Sequence, residues 1–117
     1  MVMELNKDSF NDAVENNGTI FIDFWAPWCG PCKSFAPIFE AAAEKYPDIA
    51  FAKVNTEQEQ ELAAYFNIRS IPTLMAMRDQ IIVFEQAGAL PESALDEVIG
   101  KIAALDMDEV RKQVAEQ

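Results

Sequence analysis

The chain has 117 residues, half of them hydrophobic, with 9 basic and 20 acidic side chains, a formal net charge of -11 and no histidine. That size suits one domain with a real core, and the acidic balance argues against nucleic acid and anionic lipid as partners, since both repel it. Without histidine there is no Ser-His-Asp or Cys-His catalysis and no histidine-ligated metal, and two cysteines alone cannot complete a structural zinc site that wants four N or S ligands.

A short strand is expected over Met3–Leu5. Asn6 or Asp8 can cap a helix over Ser9–Glu15, and Asn17-Gly18 should end it, glycine tolerating the left-handed cap geometry. Thr19–Trp25 is β-branched and aromatic on both faces, as a buried central strand would be, and one acid, Asp23, interrupts it. Cys32–Tyr46 has helical periodicity, with Phe35, Ile38, Phe39, Ala42 and Ala43 on one stripe. Pro31 falls in the first turn, where a missing N–H costs little, and Pro37 lies inside and should kink the helix. Pro47-Asp48 stops it.

A second strand follows over Ile49–Val54, then a polar-faced helix over Glu57–Phe66 with Leu62, Ala63 and Phe66 inward. Thr73–Met77 and Ile81–Phe84 read as an antiparallel hairpin joined across Arg78-Asp79-Gln80. Pro91–Leu105 is a helix with Leu95, Val98, Ile99 and Ile102 inward. Strand-helix-strand units followed by a hairpin predict an α/β fold, a mixed sheet of four to five strands with helices on both faces. Residues 106–117 form a separate stretch, acids early and bases late, with Met107, Val110 and Val114 at helical spacing. We expect a domain over residues 1–105 and a C-terminal helical extension over 106–117 packed on it.

No apolar run approaches membrane-spanning length, and no basic stretch followed by an apolar one opens the chain. With two cysteines and no such leader, the expected compartment is the reducing cytoplasm.

Those two cysteines stand in Trp28-Cys29-Gly30-Pro31-Cys32-Lys33, where the buried strand meets a helix. The first thiol lies at the helix N-terminus, where unpaired N–H groups and the helix dipole favour an anion. A free thiol near pKa 8.5 is only about 3% thiolate at neutral pH, so modest help raises the reactive fraction severalfold. Cys29 is therefore the candidate nucleophile. Cys32, one turn inside, is shielded and then attacks the mixed disulfide. The alternative, two cysteines that only pack in the core, sits badly with Trp28, Gly30, Pro31 and Lys33 around them.

WCGPCK, the preceding Asp23-Phe24-Trp25-Ala26 and the later Ile71-Pro72-Thr73 resemble the thioredoxin family, over nearly the whole chain from Phe10 to about Leu105. The motif is itself a standard example for that family. The resemblance implies a thioredoxin fold and a small monomeric dithiol reductant of protein disulfides. It implies no bound cofactor and no metal, with electrons arriving from NADPH through a flavoprotein thioredoxin reductase.

It also implies roles for single residues. Asp23 matches a buried aspartate whose raised pKa suits a general base toward Cys32. Lys53 matches a lysine that tunes that acid, although a snorkelling surface lysine reads equally well. Pro72 matches a cis-proline facing the two sulfurs, and Ile71 would offer its backbone to an extended client. Trp28, Gly30, Pro31, Ile71, Pro72, Gly88 and Ala89 would form the docking patch. Gly88 also reads as a loop glycine chosen for its backbone freedom.

The hairpin lacks the family's usual glycine, Met77 stands where an aromatic is common, and residues 106–117 run past the family's usual end. Two rivals remain in view. An oxidant or isomerase of the same family usually has histidine between the cysteines. A binding subunit would hold the patch permanently on a partner.

Overall fold

A strand apolar on both sides has to be covered on both sides, and Ile20 to Phe24 are all almost fully buried. The computed structural model, which describes residues 1–116, builds that cover from the flanking elements. In chain order these are β1 (Val2–Glu4), α1 (Phe10–Asn16), β2 (Thr19–Trp25), α2 (Gly30–Lys45) and β3 (Ala50–Asn55), followed by α3 (Gln60–Tyr65), β4 (Thr73–Arg78), β5 (Ile81–Ala87), α4 (Glu92–Ala103) and α5 (Met107–Ala115). The strands form one mixed sheet in the order β1-β3-β2-β4-β5. β3 runs parallel to both β1 and β2, while β4 is antiparallel to β2 and to β5.

The side-chain alternation of β2 divides the interior. Phe21 joins Phe35 and Phe39 of α2, Phe51 of β3 and Leu95 and Ile99 of α4. Ile20, Ile22 and Phe24 join Phe10 and Val14 of α1, with Leu62 and Phe66 packed against them. Each fully buried large apolar side chain contributes about 1.5–3 kcal/mol, so both faces hold the sheet. Asp23 points to the α2 side, two residues from Phe21.

Several boundaries differ from expectation. α1 does not end through a left-handed glycine: Gly88 is the one positive-φ glycine among the described residues. Asn17 instead turns the chain to extended backbone, and its Nδ2 donates to the Ala13 carbonyl at 2.8 Å. At the other end Asn6 takes the capping part, its Oδ1 accepting from the N–H groups of Asp8 and Ser9. α2 starts at Gly30, because Cys29 itself is the cap, and remains one helix through Pro37. α3 starts at Gln60 rather than Glu57, because Asn55 Oδ1 accepts from the N–H groups of Glu57 and Gln58 and holds that stretch in a turn.

β5 continues to Ala87, pairing with β4 to Thr73. The hairpin between them turns on Asp79 and Gln80, both left-handed at φ 51° and 66°. That geometry normally selects Asn-Gly. The Asp79 N–H donates to the Gly18 carbonyl at 2.9 Å.

α4 stops at Ala103, with Pro91 just outside its first turn as the N-cap. Arg78 Nη1 donates to the carbonyls of Ile102, Ala103 and Leu105 at and just past the helix end, and the Ile102 carbonyl also accepts from the Leu105 N–H at 3.3 Å. Asp106 then caps α5, its carboxylate accepting from the N–H groups of Asp108 and Glu109. Met107 is buried, Val110 half-buried and Val114 exposed. Arg111 pairs with Asp79 at 3.0 Å.

Candidate active site

β2, the central strand, delivers its last residues to its C-terminal end, and the chain turns there through the buried Ala26. The Cys29 N–H donates to the Ala26 carbonyl at 3.2 Å. Cys29 itself is extended, at φ -87° and ψ 114°, and Gly30 opens α2. Pro31 sits in the first turn, where it removes no helical hydrogen bond. The Cys32 N–H therefore points back along the helix and donates to Cys29 Sγ at 3.2 Å. Cys29 and Cys32 form a disulfide with their Cα atoms 5.2 Å apart, and both are buried.

The long loop before β4 supplies the opposite wall. The Ile71–Pro72 peptide is cis, and the Ile71 carbonyl oxygen lies 3.7 Å from Cys29 Sγ. Gly88 reaches the same place from the end of β5, its N–H donating to the Pro72 carbonyl at 2.7 Å. Gly88 has φ +101°, which an L side chain rarely adopts. The expected patch is thus drawn from three segments. Trp28 is 69% exposed, Gly30, Pro31, Gly88 and Ala89 are exposed, Ile71 is half-buried and Pro72 is buried beneath them. A side chain on Gly30 would meet no atom within 4 Å among the described residues beyond its chain neighbours and its own helix backbone, so the surface is open at this position.

Behind the disulfide, Asp23 is 3% exposed. Its Oδ1 receives no hydrogen bond from the described residues. Burial pushes its pKa up from 3.8 to about 7, against a smaller downward pull from Lys53. Lys53 is its register partner on β3. The Lys53 Nζ lies 5.3 Å from the centre of the Trp25 ring, a cation–π distance. Lys53 is neither a free surface lysine nor a direct ion-pair partner of Asp23. A cavity of about 60 Å³ joins Asp23 to Cys32, with Trp25, Lys53, Ala36 and Glu40 also on its walls. That is room for about two waters.

Sequence reasoning missed Trp25 in this group. The signal was available: Trp25 follows Asp23 by two on a strand and shares its face. Among the described residues, no cluster of three or more Asp, Glu, Cys or His is placed to hold a metal, and no helix is long and apolar enough to cross a membrane.

Comparison with known proteins agrees with this geometry. The thioredoxin family model matches residues 1–101. A Streptomyces coelicolor protein that bears a thioredoxin name is 59% identical over 115 residues, covering 98% of this chain and 86% of that one. A thioredoxin of Porphyra purpurea is 41% identical over 102 residues, covering 86% and 95%. Among solved structures, Fasciola hepatica thioredoxin superposes with a TM-score of 0.79 at 36% identity, covering 86% of this chain and 98% of that one. Oxidised mitochondrial thioredoxin 3 from Saccharomyces cerevisiae gives 0.78 at 29% identity, covering 86% and 94%.

Proposed function

The chain belongs to the thioredoxin family and is a thiol-disulfide oxidoreductase, and from that premise we propose that it acts as a dithiol reductant of protein disulfides, with Cys29 attacking and Cys32 resolving. The observation that carries this assignment is the Cys32 N–H aimed at Cys29 Sγ at the start of α2. A donor at a helix N-terminus stabilises a thiolate on Cys29 and gives none of that help to Cys32.

In the reduced protein the Cys29 thiolate attacks one client sulfur. A Cys29–client disulfide forms, the client disulfide breaks, and one client thiolate leaves. Cys32 then gives its proton to Asp23 through their shared cavity and attacks Cys29 Sγ. The Cys29–Cys32 bond forms, the mixed disulfide breaks, and the second client thiolate leaves. Two electrons have passed from the dithiol to the client. An acid that titrates near 7 is suited to take and return this proton at neutral pH.

The client backbone runs along Ile71, over Gly30 and Pro31 and against Trp28, with Pro72, Gly88 and Ala89 completing the surface. Lys53 sets the charge near Asp23. Electrons return from NADPH through a flavoprotein thioredoxin reductase, and the protein works in the cytoplasm as a monomer. Residues 106–117 extend the domain over 1–105 and take no part in the chemistry.

Insulin provides the test. With dithiothreitol as donor, the protein should accelerate insulin precipitation, and a thioredoxin reductase with NADPH should replace the dithiothreitol. Acceleration with neither donor system would reject the reductant reading.

A further inference from the structure

We propose that the groove between α1, α3 and the open face of β4–β5 docks a basic, amphipathic segment of a partner protein. The groove lies on the α1/α3 side of the sheet, whereas Cys32 sits on α2 on the other. It consists of two adjoining hollows of about 310 and 590 Å³ that share Phe10, Asn11, Tyr65 and Phe66.

Its floor follows from register. Ile82 pairs with Met77 and Glu85 with Met75, and both methionines belong to the α1/α3 core. Ile82 and Glu85 therefore look out on that side. Few large hydrophobic residues of this chain are exposed, and two of them, Tyr65 at 81% and Ile82 at 46%, line this one groove. The Tyr65 ring meets that of its chain neighbour Phe66 edge-on, with centroids 4.9 Å apart. An exposed tyrosine that shares a groove with an aliphatic residue is a common anchor of an interface.

Charge selects the occupant. The groove carries Glu61 and Glu85 and one cation, Lys7, which already lies 3.9 Å from Glu61. Glu85 makes no ion pair among the described residues. An apolar side chain laid on Tyr65 and Ile82, with a lysine or arginine beside it to meet Glu85, satisfies both features. A second copy does not fit, because each chain carries a charge of -11 and offers no spare cation here. An anionic membrane is repelled for the same reason. None of the residues assigned to the dithiol site lines the groove, so docking leaves the disulfide chemistry free.

The experiment titrates the full isotope-labelled chain with two short helical peptides that share one leucine stripe, one with lysine and the other with glutamate on the polar face. The lysine peptide should give saturable amide shifts confined to the surroundings of Asn11, Tyr65, Ile82 and Glu85, in either redox state, and the glutamate peptide none. Glu85→Gln should weaken binding about threefold, as loss of one exposed ion pair does. Tyr65→Ala with Ile82→Ser should abolish it. Insulin reduction should be unchanged in both variants, which also shows that they fold. Shifts spread over the acidic surface, shifts centred on Trp28 and Ile71, no shifts at all, or groove shifts that appear with protein concentration alone would each overturn the proposal.

Discussion

The backbone N–H of Cys32 donates to the sulfur of Cys29 across 3.2 Å, and no donor among the described residues serves the sulfur of Cys32 in return. The two thiols are therefore unequal before any client arrives. Cys29→Ser should abolish turnover. Cys32→Ser should leave a long-lived mixed disulfide through Cys29, because the resolving thiol is gone. Mass spectrometry after incubation with a disulfide-bonded client reads both variants, and equal trapping through Cys32 in the Cys29→Ser protein would reverse the assignment.

Asp23 ties catalysis to stability. Its folded pKa, about 7, is raised above the ordinary value of 3.8. A raised acid destabilises the fold: the penalty begins above pH 3.8, grows up to about 7 and is constant beyond. The gap corresponds to about 4 kcal/mol at 1.36 kcal/mol per pH unit. Asp23→Asn should therefore be more stable than the parent at pH 8, by an amount of that order, and nearly equal to it at pH 3.5. Urea melts at the two pH values check this. The same variant should release clients slowly and lose the inflection near pH 7 from its rate profile. An Asn variant with no added stability at pH 8 contradicts a destabilising buried carboxylate.

Lys53 pulls the Asp23 pKa down, against burial. Lys53→Met should remove that pull and move the inflection in the rate of client release above 7. It should also deepen the Asp23 stability penalty at alkaline pH. Following the Asp23 carboxyl carbon by NMR across the titration gives the direction without relying on turnover. A downward displacement would mean that Lys53 acts on something other than Asp23.

The parts of this site that sequence reveals are those where residue type and environment conflict. Asp23 is legible because it is the one charge in an apolar strand, and β2 keeps its expected bounds because β-branched and aromatic residues run on both sides of that acid from Thr19 to Trp25. Cys29 and Cys32 are legible from spacing alone. What escapes is capture of backbone groups by side chains. The acidic and glutamine-rich stretch after Asn55 has good helix propensity, yet the Asn55 carboxamide takes two of its N–H groups and delays α3 to Gln60. The left-handed pair Asp79-Gln80 is invisible for a similar reason. Local preference favours glycine there, and what holds Asp79 comes from Gly18 and Arg111, far away in sequence.

Those distant contacts lead to the last prediction, about residues 106–117. α5 meets the domain at three points: Met107 is buried, Arg111 pairs with Asp79, and Arg78 holds the carbonyls of Ile102, Ala103 and Leu105 that lead into it. A helix this short is marginal in water without such support. Only part of its surface is used, since Val114 remains 46% exposed. The Arg111–Asp79 pair is also half-exposed on both sides, where solvent screening keeps the contribution of an ion pair small. Truncation after Leu105 should lower the melting temperature by a few degrees, as a loss of about 1 kcal/mol does in a chain near this size. Insulin reduction should be intact, because no residue of α5 lies in the dithiol site. Arg111→Ala should reproduce a minor share of the loss, and that share should fade in about 1 M salt, where screening acts over about 3 Å. Arg78→Ala should cost more than Arg111→Ala, because its guanidinium serves three carbonyls of a helix end at once. A truncated protein that melts unchanged but is no longer recognised by a reductase or client would make α5 a partner site instead.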